Sequence, residues 1–318
     1  MLSIFKGIDD AKQIIQYPLQ VIGKGINGSE ILGVSPALPD DCTILRKIVP
    51  PVLVNRQPGL GDRIFALAAA YAYHQAHTFH QIGFSGMPCD EEWLSWIPWL
   101  DQHNIDDTNT IVQLNISPHT AGDRAKAMGR AMGVDVTSLS FPINVPDIGP
   151  VIDEEYVVFA PFNNKYGFRS IPSEIVTNVV SRTRYKIVIL DAMKHDIEGN
   201  NVVNLTGKLK LEEVFGVISR ARGLIGVDSG LMWVANAIKI PGLCMFGHVA
   251  AEERIACTTD MIGINTVASC GPCGDMISIK NKCKWMGRTL KCMSYCSSSN
   301  ILLFIDMLME YIESREAK

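Results

Sequence analysis

The stretch Gly223-Leu-Ile-Gly-Val-Asp-Ser-Gly-Leu-Met-Trp-Val-Ala-Asn-Ala-Ile-Lys-Ile-Pro-Gly-Leu-Cys-Met-Phe-Gly247 decides the fold. Leu224, Ile225 and Val227 form a short apolar run with a β-branched bias, and Asp228, Ser229 and Gly230 punctuate it. Leu231, Val234, Ala235 and Ile238 then recur at helical spacing, so the expected order is strand, sharp turn, helix. Pro241 and Gly242 stop the helix and Leu243 to Phe246 supply a second buried strand, which makes the segment a βαβ unit of a parallel sheet. The turn falls at the carboxyl end of a strand, where open α/β sheets bind ligands, and the N–H groups that open the helix suit a phosphate. A plainer reading of the same residues makes Asp228 or Ser229 only a helix cap.

Working outward, Tyr156 to Ala160, Lys186 to Leu190 and Val202 to Leu205 read as strands. They alternate with helices carrying Ile175, Val176 and Val179, with Pro172 at the start, and Leu211, Val214, Phe215 and Ile218. Alternation on this scale predicts a doubly wound, Rossmann-like domain. Phe141 to Asp153, with Pro142, Pro146, Gly149 and Pro150, has the punctuation of a linker. Before it, Val52 to Val54 reads as a strand, and Gln57-Pro-Gly-Leu-Gly-Asp-Arg63 turns the chain into a helix bearing Ile64, Leu67, Ala68, Tyr71 and Ala72. Further strands are expected at Ile82 to Phe84 and Thr110 to Leu114, and a helix from about Gly122 to Met132. Trp93, Trp96, Ile97 and Trp99 read as core or interface packing rather than a sugar platform. In the first fifty residues, Ile8, Ala11, Ile15, Leu19 and Ile22 have the spacing of an amphipathic helix that Pro18 interrupts. The expected organisation is an extension over residues 1–50 packed on a first domain, 51–150, followed by a second domain, 151–318.

The 318 residues are 47% hydrophobic and 19% charged, with a net charge of -4, as in a globular protein with a large core. That balance gives no broad field for steering nucleic acid or anionic membrane, so any polyanion contact is local. Neither a signal segment nor a membrane-length apolar run is visible, and a cytoplasmic location is the expectation.

With both glycine turns placed, the chain resembles the heptosyltransferase-like glycosyltransferases of family nine. The resemblance rests on Gly226-Val-Asp-Ser-Gly-Leu231 followed by Ala235, Ala237, Pro241 and Phe246-Gly247, on Leu205 to Val214, on Gly-Leu-Gly-Asp62 and on Arg169-Ser-Ile-Pro172. It implies the GT-B architecture, two Rossmann-like domains with parallel sheets facing across a cleft. It also implies transfer of a sugar from a nucleotide-diphosphate donor to an acceptor hydroxyl, inverting and independent of metal. The acceptor is then a carbohydrate, a lipid-linked glycan or another hydroxyl compound. Where the family has His this chain has Trp233, and the turn through Arg63 and Ile64 is also similar to a fucosyltransferase motif.

Such a transfer needs a base for the acceptor hydroxyl and positive charge or N–H groups for the departing diphosphate. Asp62, at a helix start, is the candidate base, the role of the matching family residue; the plainer reading makes it an N-cap. Gly59, Gly61 and Arg63 line the same turn. Lys165 and Arg169 are candidates to neutralise the diphosphate, Arg169 by resemblance, while Asp228, Ser229, Gly230 and Leu231 offer backbone N–H groups. Two readings from other classes compete: a catalytically silent nucleotide or sugar binding module, and a zinc-knuckle nucleic-acid binder, which the acidic balance opposes.

Five of nine cysteines fall together: Cys270, Cys273, Cys283, Cys292 and Cys296. A C-x-x-C knuckle with further cysteines can hold a structural zinc, with Cys270, Cys273, Cys283 and Cys292 as the candidate ligands, and thiolates also suit iron. The alternative is a set of reduced or partly disulfide-linked thiols.

Overall fold

In the computed structural model the described residues are 15–16, 19–24, 30–34, 52–54, 59–77, 82–85, 91–100, 111–113, 123–163, 169–258, 260–266, 272 and 291–317. Strands β1 (Ile15–Gln16), β2 (Leu19–Lys24) and β3 (Glu30–Val34) form a small antiparallel sheet. The helix expected across Ile15, Leu19 and Ile22 is therefore corrected: the three fall in strands separated by Pro18, while Ile8 and Ala11 lie outside the described residues. Pro18 removes a helical donor, and tertiary pairing overrides the four-and-three spacing.

A second sheet has β4 (Val52–Val54) between β5 (Gly83–Ser85) and β6 (Ile111–Gln113), all parallel. Its long helix α1 (Leu60–Ala76) follows β4, and α2 (Glu91–Leu94) and α3 (Arg124–Ala131) complete this half among the described residues. Neighbours on both sides of β4 make its carboxyl end a point where strand order reverses, and the glycine turn into α1 leaves from there.

The third sheet contains β7 (Tyr156–Ala160), β8 (Lys186–Ile189), β9 (Val202–Asn204), β10 (Gly223–Val227), β11 (Gly242–Phe246) and β12 (Met261–Asn265). Its order is β12-β11-β10-β7-β8-β9, parallel throughout. Helices α4 (Ser173–Arg182), α5 (Leu211–Ser219), α6 (Gly230–Ala237) and α7 (Ala251–Ile255) connect the strands; α8 (Lys291–Ser294) and α9 (Ser298–Glu316) follow. The reversal falls between β7 and β10, so ligand chemistry is expected beyond their carboxyl ends.

Strands covered on both faces explain the unbroken apolar runs. Tyr156, Val158 and Ala160 of β7 point into the core shared with α1, α5 and α6, whereas Val157 and Phe159 join the core under α4 and α9. The aromatic patch packs as expected. Trp93 is fully buried and stacks on Phe215 of α5 at 5.2 Å between centroids, Trp96 meets the same ring at 5.9 Å, and Trp99 contacts Phe141 at 6.0 Å. The segment read as a linker is tied to α5 as well. Arg220 donates to the carbonyls of Ile148 and Pro150, and a Cβ on Gly216 would stand 2.1 Å from the Ile148 carbonyl oxygen.

Candidate active site where two glycine turns meet

The two turns at the reversal points lie against one another. A Cβ on Gly61 would come within 2.6 Å of Trp233 Cδ1, and one on Gly230 within 2.8 Å of Leu60 Cβ. Both positions need glycine because the first turns of α1 and α6 approach so closely. Trp233 lies between them, stacked obliquely on Phe65 at 4.9 Å, and its Nε1 donates to Asp228 Oδ1 at 3.2 Å.

Asp228, at the carboxyl end of β10, is almost wholly buried and is not the cap of α6. Its Oδ2 pairs with Arg169 at 3.1 Å, and its carbonyl accepts from Asn163 Nδ2 at 2.8 Å across the β7–β10 reversal. Burial pushes its carboxyl up, but the charges of Arg169, Arg254, His248 and Arg124 together hold it below the ordinary aspartate value. Ser229 occupies the N-cap position of α6 without capping it, and its buried Oγ has no hydrogen-bond partner among the described residues. The plain capping reading of Asp228 and Ser229 is corrected accordingly: ion pairing at the reversal point has taken the Asp228 carboxylate.

Asp62 is likewise not an N-cap. Gly59 holds that position and Asp62 sits in the first turn of α1, one oxygen directed at Arg124 of α3 and the other over Gly59, where a Cβ would approach to 2.7 Å. Arg63, beside it, is buried. The structure thus brings together Gly59, Gly61 and Asp62 from one turn with Asp228, Ser229, Gly230, Leu231 and Arg169 from the other half. Lys165, Cys270, Cys273 and Cys283 lie outside the described residues.

Three residues of the cluster were not anticipated: Arg124, His248 and Arg254. In sequence Arg124, with Lys126 and Arg130, falls on the polar side of the helix expected from about Gly122 to Met132. His248 and Arg254 follow β11, which pairs with β10 in a register that sets Val227 beside Met245. Turns after adjacent parallel strands must lie side by side, and that was the available signal.

Cys292 and Cys296 are buried, and Cys292 Sγ would stand 2.8 Å from a Cβ on Gly247, next to His248. Burial, and then Cys292, push the Cys296 thiol up to about 12. No group of three metal-ligating side chains occurs among the described residues.

The fold and the meeting of the turns define a GT-B protein. Within it, residues 178–284, about a third of the chain, match the model of glycosyltransferase family 9 (heptosyltransferase). The autotransporter heptosyltransferase TibC of enterotoxigenic Escherichia coli is 30% identical over 138 residues; the match covers 38% of this chain and 32% of that relative. The crystal structure of TibC, described as an iron-containing dodecameric glycosyltransferase, superposes with a TM-score of 0.66 at 16% identity, over 84% of this chain and 77% of TibC. A second TibC structure is a complex with ADP-D-beta-D-heptose. E. coli ADP-heptose lipopolysaccharide heptosyltransferase II aligns with a TM-score of 0.58 at 10% identity, over 83% of this chain and 99% of its own.

Proposed function

We propose that the protein transfers a sugar from a nucleotide-diphosphate donor to an acceptor hydroxyl, with inversion and with Asp62 as general base. The observation that carries the proposal is the placing of Asp62 beside the uncapped first turn of α6, at the reversal points of both parallel sheets. ADP-heptose, the donor in the TibC complex, is the first donor to try. The acceptor oxygen attacks the anomeric carbon, its proton passes to Asp62, and the bond to the diphosphate oxygen breaks with the electron pair leaving on the diphosphate. Arginine charge at the site stands in for the cation of metal-dependent transferases, so we read catalysis as metal-independent.

The proposed division is residues 1–50 as an extension, 51–150 as the acceptor side and 151–318 as the donor side, in a cytoplasmic protein. No helix among the described residues is long and apolar enough to cross a membrane. The sulfurs of Cys292 and Cys296 have the donor chemistry for a zinc or iron bound with Cys270, Cys273 and Cys283, and TibC is described as iron-containing. Such a metal would be structural, bracing the segment packed on Gly247.

One observation favours a second reading, a silent nucleotide-sugar binding module: Asp62 is already engaged by Arg124. Asp62→Asn separates the two. With a base role, donor affinity persists while turnover falls by about a hundredfold or more. Transfer at the wild-type rate removes Asp62 from the mechanism, and a wild-type chain that binds donor without turnover supports the module.

A further inference from the structure

Arg254 is a buried arginine at this site that makes no ion pair among the described residues. Its side chain in α7 is 8% exposed, and its Nε is buried without a hydrogen-bond partner. Its guanidinium neighbours differ, since Arg124 is paired with Asp62 and Arg169 with Asp228. Set against Asp62 and Asp228, the guanidinium groups of Arg124, Arg169 and Arg254 leave one positive charge in excess, and Arg63, buried beside Asp62, adds another. Burial works against the charge on Arg254; Asp228 and Asp62 favour it and Arg124 and Arg169 oppose it. Arginine nevertheless remains a cation at neutral pH. A buried cation with no partner is costly, and an anion that arrives with a ligand accounts for its retention.

The first turn of α6 points to the same ligand. No side chain caps its N–H groups, and Ser229 Oγ is buried and unbonded beside them. An uncapped helix start carries partial positive charge suited to phosphate.

We propose that Arg254, with the first turn of α6, binds the diphosphate of the donor and offsets the charge on the departing phosphate. This rests on the glycosyl-transfer reading. As the bond between the anomeric carbon and the diphosphate oxygen breaks, its electron pair stays on that oxygen, and the acceptor oxygen forms the new bond while losing its proton to the base. The terminal phosphate gains a full negative charge in that step, and a guanidinium of this cluster would match the change.

The test uses the full chain and the variants Arg254→Gln and Arg254→Lys, titrated calorimetrically with inorganic pyrophosphate, ADP and adenosine, together with the melting temperature without ligand. Expected for Arg254→Gln is a loss of about tenfold or more in affinity for pyrophosphate and ADP, unchanged adenosine binding, and a melting temperature at or above wild type because an unpaired buried charge is gone. Arg254→Lys should recover part of the anion affinity. Unchanged affinity for pyrophosphate and ADP in Arg254→Gln overturns the assignment and leaves glycosyl transfer standing. A lower melting temperature in that variant also overturns it, by marking Arg254 as structural. Wild-type protein that binds pyrophosphate through Arg254 but not ADP keeps the anion site and removes the nucleotide-sugar reading; wild type that binds none of the probes removes both.

Discussion

Arg169 has a structural partner beside the role that the resemblance implies. Sequence resemblance assigns it to the diphosphate, yet in the fold it pairs with a buried Asp228 at 3.1 Å, both side chains about nine-tenths covered. Removing one member of such a pair leaves the other charge uncompensated, typically at about 3–5 kcal/mol. Arg169→Ala should therefore lower the urea midpoint strongly. Adding Asp228→Asn in that background should recover part of the loss, a coupling that a double-mutant cycle measures; additive losses would show that the pair contributes nothing as a pair. The positions of Asp62 and Asp228 were legible because one opens a helix and the other closes a strand at a glycine turn, whereas Arg169, in the loop between β7 and α4, was singled out by resemblance. Arg124 and Arg254 were not, since a charged residue on a helix has the same local pattern whether it faces water or a carboxylate from another element.

At the scale of elements, β10, α6 and β11 came out within a residue or two of their reading. Strands buried on both faces are apolar without interruption, and a glycine turn bounds them. The strands on either side of Pro18 failed for the opposite reason: short elements carry little patterning, and spacing of four and three imitates a helix. The contact of α1 with α6 was not legible at all, because a glycine announces close approach but not the partner. Gly61 makes the point testable. Helix propensity alone favours alanine there by up to about 1 kcal/mol, but the new methyl would meet Trp233 at 2.6 Å, and that indole is held by Asp228 and Phe65. Gly61→Ala should destabilise by about 1–3 kcal/mol on thermal or urea unfolding, and any gain in stability would show that α1 and α6 can separate without cost.

For the whole molecule, the pH profile of stability should fall at both ends. Asp228 is held below its ordinary value, so its charge contributes stability above about pH 4, the unfolded aspartate range, and that is lost as pH falls through the folded value. At the alkaline end, burial and then Asp123 push the Cys257 thiol from 9.0 up to about 12, and burial raises the Tyr73 phenol above 10.0. Both groups keep their protons in the folded chain while the unfolded chain loses them. Stability should decline from about pH 9 upward, and Cys257→Ala should lessen the slope between pH 9 and 12. Chemical denaturation across pH checks both limbs; a flat alkaline limb would mean that Cys257 and Tyr73 reach solvent.

The position of Trp233 has an optical consequence. Its indole is 2% exposed, between a helix of one half and the reversal point of the other. The halves cannot draw apart at this place without wetting it. In a background where Trp93, Trp96, Trp99 and Trp285 are phenylalanine, a red shift of its emission on adding donor or acceptor records opening, and a blue shift or quenching records tightening. Trp233 is thus a built-in fluorescent gauge of any movement of one half against the other.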